Sequence, residues 1–211
     1  MIDPKRPRGR LIAFEGIDGS GKTTLAKRFA RALRHDGFSV ALVREPSDRI
    51  LGRYAVNLAG SDPWGSGIYF TLDRFRARPI LERALASHDV VLSDRTFYST
   101  LAYQGSALPA VRYRRLEKLQ HQIAVRPHRI VLLDLPPSIA WSRLTKRRGD
   151  RTALERRKTL SRVARAYERL SQRPGWIVID ARPSTGAVQA EIERRILPWL
   201  RRSLGRTTRR S

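Results

Sequence analysis

Gly16-x-x-x-x-Gly21-Lys22-Thr23 combines the residue types and the spacing that hold a chain of phosphates. Glycines at 16, 19 and 21 permit positive φ and keep side chains out of the loop, so its N–H groups can turn inward on an anion. A helix beginning near Lys22 aims the positive end of its dipole at the same point. Lys22 adds a mobile charge that reaches the β- and γ-phosphates, and the Thr23 hydroxyl is a ligand for Mg²⁺. The phosphates of a nucleotide are therefore expected along residues 16–24, with Ile17, Asp18, Gly19, Ser20 and Thr24 completing the wall. A Gly-rich turn ahead of an ordinary helix is the bland alternative, and the order strand, loop, helix speaks against it.

Three further positions bear chemistry. Asp94 ends an apolar run, where a phosphate-transferring site carries a second Mg²⁺-associated carboxylate. A strand-terminal Asp that caps the next helix is the competing role. Arg44 and Arg95 also stand at strand ends, and a pair of guanidinium groups suits a second phosphate held by bidentate hydrogen bonds.

The elements that must position these residues are legible from periodicity. Short, nearly all-apolar strands are expected at 11–14, 38–43, 89–94, 129–134 and 176–180. Helices alternate with them at 24–34, from Ser47 or Asp48 to Leu58, at 68–86 with a kink or division at Pro79, at 96–105, 109–125, 138–147, 152–172 and 185–201. Residues 60–67 read as loop. This alternation predicts an α/β fold with a five-stranded parallel sheet covered by helices on both faces, and ligands at the carboxyl ends of its strands. Residues 1–9 and 201–211 are expected to be a flexible basic extension and a basic, disordered tail around one domain over 10–200.

The chain has 211 residues, a net charge of +24 and no cysteine. Disulfides and thiolate metal sites are excluded, and a reducing cytoplasm fits. No apolar run approaches the length of a membrane span, and the basic N-terminus lacks a secretory pattern. The arginines that supply most of the charge are spread along the chain, and no nucleic-acid-binding motif accompanies them.

Phe14-Glu15-Gly16-Ile17-Asp18-Gly19-Ser20-Gly21-Lys22-Thr23-Thr24, Arg44-Glu45-Pro46, and Asp94-Arg95 followed by Ser99 and Ala102-Tyr103-Gln104-Gly105 together resemble the thymidylate kinase family of P-loop nucleoside monophosphate kinases. The resemblance covers most of residues 10–195 and includes Leu133-Asp134-Leu135, the basic segment 146–151 and the segment from Trp176 to Ala181. It implies ATP-dependent phosphorylation of dTMP in a P-loop NTPase fold with a small lid, about 146–153, and a homodimer. Carried over by position, Asp18 lies near the acceptor's sugar and phosphate, while Arg44 and Arg95 hold that phosphate. Phe70 stacks on thymine and Arg74 hydrogen-bonds it; Ser99, Tyr103 and Gln104 line the nucleoside pocket. One subclass of the family carries an arginine inside the P-loop, where this chain has Gly19-Ser20. The lid arginines Arg147, Arg148 and Arg151 are then the catalytic candidates. The Gly-rich segment that usually follows Arg-Glu-Pro is replaced here by Ser47 to Gly52, and the histidine after the thymine-binding arginine is absent. These departures bear on the choice of base more than on the reaction. The rival readings are a deoxynucleoside kinase or other P-loop small-molecule kinase, with Glu45 as base for a hydroxyl acceptor, and a nucleotide- or nucleic-acid-binding protein without turnover.

Overall fold

The computed structural model describes residues 9–146 and 153–205. Five strands form one parallel sheet: β1 (Arg10–Glu15), β2 (Val40–Arg44), β3 (Val90–Asp94), β4 (Arg129–Asp134) and β5 (Trp176–Asp180). Their spatial order is β2-β3-β1-β4-β5. β1 and β3 are buried along almost their whole length, which only strands covered on both faces allow. The reversal of chain order around β1 opens the crevice in which such sheets bind ligands.

Register does the positioning. Asp94 pairs laterally with Phe14 on one side and with Arg44 on the other. The residues just beyond β1, β2 and β3 therefore emerge side by side. The helix α1 (Lys22–His35) follows the glycine loop and buries Leu25, Ala26, Phe29, Ala30 and Leu33 against the sheet. Beyond β2, α2 (Arg49–Leu58) is capped by Asp48, whose carboxylate accepts from the backbone N–H groups of Ile50 and Leu51.

The helix α3 (Pro63–Ser87) departs from expectation twice. It starts five residues before 68, because Asp62 caps it, accepting from Gly65 N, and Pro63 occupies the first turn, where a missing N–H costs nothing. The helical Gly67 in this early stretch lies against Leu116, where a Cβ would come within 3.2 Å of a methyl group. Nor does Pro79 divide the helix. It sits on an exposed face, where the carbonyl left without a donor meets water instead of a packed neighbour.

The remaining helices are α4 (Phe97–Tyr103), α5 (Ala110–Ile123), α6 (Pro137–Thr145), α7 (Arg157–Ser171) and α8 (Thr185–Ser203). α4 is buried at every residue and ends where Gln104 leads into a 3₁₀ turn, Gly105–Ala107. α8 runs past its expected end to Ser203. Leu204 packs on the core and Ser203 O accepts from Arg10 Nη2, so the start of the basic tail belongs to the folded body.

Candidate active site

The glycine loop, residues 16–21, carries the expected backbone. Gly16 has φ 142° and a Cβ there would lie 2.7 Å from Leu133 O; Gly19 has φ 86° and a Cβ would lie 2.9 Å from Ala140 O. No other residue fits either place. Lys22 Nζ bends back over the loop and donates to Gly16 O at 2.9 Å and Ile17 O at 2.8 Å. Burial, together with the charge of Arg95, lowers its pKa to about 8. The Ser20 hydroxyl is buried without a partner among the described residues, as suits a loop built for an anion. Gly19, Ser20, Gly21 and Thr24 also border a cleft of 420 Å³ with Ala181, Ser184 and Arg143. Arg143, on the last full turn of α6, donates to Gly19 O and Ala181 O. It tethers the loop to the 181–185 turn, a function that no motif in the sequence announces.

Across the loop mouth, Thr23 Oγ1 donates to Asp94 Oδ2 at 2.5 Å, and Arg44 Nε lies 3.9 Å from the same oxygen. A hydroxyl and a carboxylate so placed are hard oxygen ligands of the kind Mg²⁺ takes, with phosphate oxygens and water for its other positions.

Next to this lies a cavity of 340 Å³. Asp18, Arg44, Phe70, Arg74, Arg95, Ser99, Tyr103 and Gln104 all line it, so the fold brings together every acceptor-site residue singled out in the sequence. Arg95 is the hub of one end. Its φ of 76° lies in the left-handed region, where a side chain is strained. Backbone bonds on both sides hold it there: Arg95 N donates to Phe14 O, and Ser93 Oγ donates to Arg95 O. The guanidinium is salt-bridged to Asp18, donates to Ser99 Oγ at 3.0 Å, and stands 5.3 Å from the ring centre of Tyr103. Tyr103 OH accepts from Asp18 N at 2.9 Å. Burial and the nearby Asp18 carboxylate push the Tyr103 phenol upward, so it stays protonated.

Beneath this cluster is a residue that motif reasoning passed over. Glu15 is fully buried and accepts four hydrogen bonds, from Thr96 N, Thr96 Oγ1, Ser99 Oγ and Tyr167 OH, at 2.6–2.7 Å. It ties β1 to the Arg95 turn and to α7.

At the other end of the cavity, Phe70 and Arg74 stand one turn apart on α3. Arg74 is not the free donor that its sequence position suggests. Its Nε and Nη2 donate to Glu45 Oε2 at 3.0 and 2.6 Å, its Nη1 to Gln120 Oε1 at 2.5 Å, and its Nη2 also reaches Thr100 Oγ1 at 3.3 Å. Burial raises the pKa of Glu45, with Arg74 opposing. A carboxylate so engaged is poorly placed to act as the base of a hydroxyl-accepting kinase. Glu45 and Thr100 were within reach of sequence reasoning, the first through Arg-Glu-Pro and the second as the neighbour of Ser99. Gln104 Nε2 is buried and unpartnered among the described residues. Leu154 and Glu155 close the remaining side. Arg147, Arg148 and Arg151 lie outside the described residues.

Similarity to known proteins agrees with this geometry. Residues 14–192 match the sequence profile of the Thymidylate kinase family. The chain is 36% identical over 193 residues to a thymidylate kinase of Xanthomonas euvesicatoria pv. vesicatoria, covering 87% of this chain and 81% of that one. It is 32% identical over 194 residues to a probable thymidylate kinase of Methanothermobacter thermautotrophicus, covering 89% and 94%. For a probable thymidylate kinase of Sulfurisphaera tokodaii the identity is 34% over 174 residues, covering 82% and 87%.

Proposed function

The chain belongs to the thymidylate kinase family, and we propose that it transfers the γ-phosphoryl group of ATP to dTMP, giving dTDP and ADP. What carries this reading is one cavity that joins a half-buried arginine hub, Arg95 with Asp18 and Ser99, to a wall of Phe70, Arg74 and Gln104. The first suits the phosphate of a nucleoside monophosphate and the second suits its base.

The acceptor oxygen is already ionised at neutral pH, so alignment and charge neutralisation carry the reaction, with no strong base. Arg95 and Arg44 hold the acceptor phosphate. Tyr103, packed under Arg95, lies against the sugar and crowds a 2′-hydroxyl. Phe70 stacks on the base while Arg74 and Gln104 hydrogen-bond its edge. On the donor side, the loop amides and Lys22 bind the β- and γ-phosphates; displaced by them, Lys22 Nζ exchanges two carbonyl partners for charged oxygens. Thr23 and Asp94 would hold Mg²⁺, which when bound neutralises charge on the phosphates. A lid over about 146–153 would bring Arg147, Arg148 or Arg151 to the transferring group and exclude water.

Homodimerisation is part of the proposal. Ile50 and Tyr54 on α2, with Leu72, Phe75 and Ile80 on α3, are large apolar side chains left exposed on two helices that pack together. A second copy of the chain is the partner that would cover them. A cytoplasmic location accords with the absence of cysteine and with the finding that no helix among the described residues is long and apolar enough to cross a membrane.

The test is a panel of nucleoside monophosphates with ATP and Mg²⁺. dTMP and dUMP are expected to exceed dCMP and the purine monophosphates, and thymidine is expected to be a poor acceptor. A preference for dCMP or a purine monophosphate would overturn the assignment of substrate. Equal use of thymidine and dTMP would favour a deoxynucleoside kinase.

A further inference from the structure

Gln120 sits on α5, is fully buried and is not part of the cavity wall. Burying an amide between two helices is costly unless both of its ends are bonded, and an apolar residue would pack there at less cost. Both ends of Gln120 are bonded. Its Oε1 accepts from Arg74 Nη1 at 2.5 Å and its Nε2 donates to Thr71 Oγ1 at 2.5 Å. Thr71 Oγ1 spends its one proton on Gly67 O at 2.7 Å, so towards Gln120 this oxygen only accepts. The amide therefore has one orientation. Turned over, its NH₂ would face the N–H groups of Arg74 and its carbonyl an oxygen with no proton to offer.

The hydrogen bonds thus run in one direction, from Arg74 to Gln120 to Thr71 to Gly67. A guanidinium is planar and carries five N–H groups. Glu45, Gln120 and Thr100 engage Nε, both Nη2 positions and one Nη1 hydrogen. One Nη1 N–H is left without an acceptor among the described residues, on a side chain that lines the cavity. Glu45 also compensates the charge of Arg74. This end of the cavity therefore offers a directed donor with little net charge, which suits a neutral base oxygen better than a phosphate.

We infer that Gln120 is a positioning residue for base selectivity. From outside the cavity it sets the angle at which Arg74 presents its remaining Nη1 N–H to the acceptor base, and Thr71 sets the polarity of Gln120. The inference rests on the reading that Arg74 contacts the base.

Gln120→Met keeps length and burial but removes the amide acceptor. It is expected to lower the ratio of kcat/KM for dTMP to that for dCMP by about tenfold, mainly by raising KM for dTMP. KM for ATP should stay within about twofold, and kcat for dTMP should change little. The dissociation constant of dTMP, measured calorimetrically without ATP, should rise in parallel. Thr71→Val should lose part of the selectivity, and Thr71→Ser, which restores the hydroxyl, should recover it; this pair decides the matter if Gln120→Met does not fold. Arg74→Ala separates the two claims. If Arg74→Ala collapses the ratio while Gln120→Met and Thr71→Val leave it intact, the positioning role is wrong and base reading by Arg74 stands. If Arg74→Ala leaves the ratio unchanged, base reading by Arg74 fails and the role of Gln120 fails with it. Equal losses for dTMP, dCMP and ATP would reduce Gln120 to a packing residue.

Discussion

Lys22 shows how much of a side chain's behaviour comes from its surroundings. Buried in the loop beside Arg95, it titrates near pH 8 before any nucleotide arrives. Phosphates at the same place would raise that value, because they favour the charged form. Between the free and the bound pKa, binding must take up a proton, so ATP affinity should fall as pH rises through about 8. Calorimetry in two buffers of different ionisation heat should find proton uptake on ATP binding at pH 8–9, set by the pKa of about 8. Binding without proton exchange would mean that Lys22 does not meet the phosphates. Arg95 makes the complementary case on the proposed acceptor side. It bonds Asp18 and Ser99 from a strained backbone, so its position is held before substrate binds. Arg95→Ala should raise KM for dTMP and lower kcat, each by about tenfold or more, with KM for ATP little changed. A selective effect on ATP would move Arg95 to the donor site.

Elements carry these residues, and α3 carries more of the site than its composition promises. One helix bears Phe70, Thr71, Asp73 and Arg74. Asp73 accepts from Ser47 N and Asp48 N, anchoring the turn into α2. The helix survives Pro79 because the interruption faces solvent. A proline in a helix interior is about 3 kcal/mol worse than alanine, less where water satisfies the freed carbonyl. Pro79→Ala should therefore raise stability by about 1–2 kcal/mol, seen as a later urea midpoint at constant slope. A variant that is less stable would show that the proline shapes α3 in a way the core requires.

At the scale of the molecule, the apolar side chains exposed on α2 and α3 are the counterpart of the buried core. Phe75 is 59% exposed and Ile80 58% exposed, against a sheet whose central residues are fully covered. Replacing Phe75 by Glu puts a carboxylate into the proposed contact between copies. Sedimentation should show a dimer for the parent chain and a shift toward monomer for Phe75→Glu, without loss of helix content. A parent chain that sediments as a monomer would remove the dimer from the proposal. The charge of +24 leads elsewhere. Repulsion between copies is then large, and association should strengthen with salt, opposite to the salt response expected for binding an anionic substrate.

The sequence by itself determined what a contiguous stretch can specify. The glycine loop, the helix it opens and the five apolar strands depend on local backbone preference and short periodicity, so they were legible without a fold around them. The residues that the family motifs assign to the acceptor also line a single cavity. What only the tertiary structure decided is which of these groups are engaged, and by whom. The order β2-β3-β1 and its register place Arg44 beside Asp94 and both beside the loop. Long-range packing gives Glu15 its partners in α4 and α7, and turns Arg74 from a free donor into a clamped one by means of Glu45 and Gln120. A polar side chain carries the same chemistry in any setting, but a buried donor must find an acceptor wherever packing provides one. Gln120 is 46 positions from Arg74, a separation across which no sequence pattern links donor to acceptor.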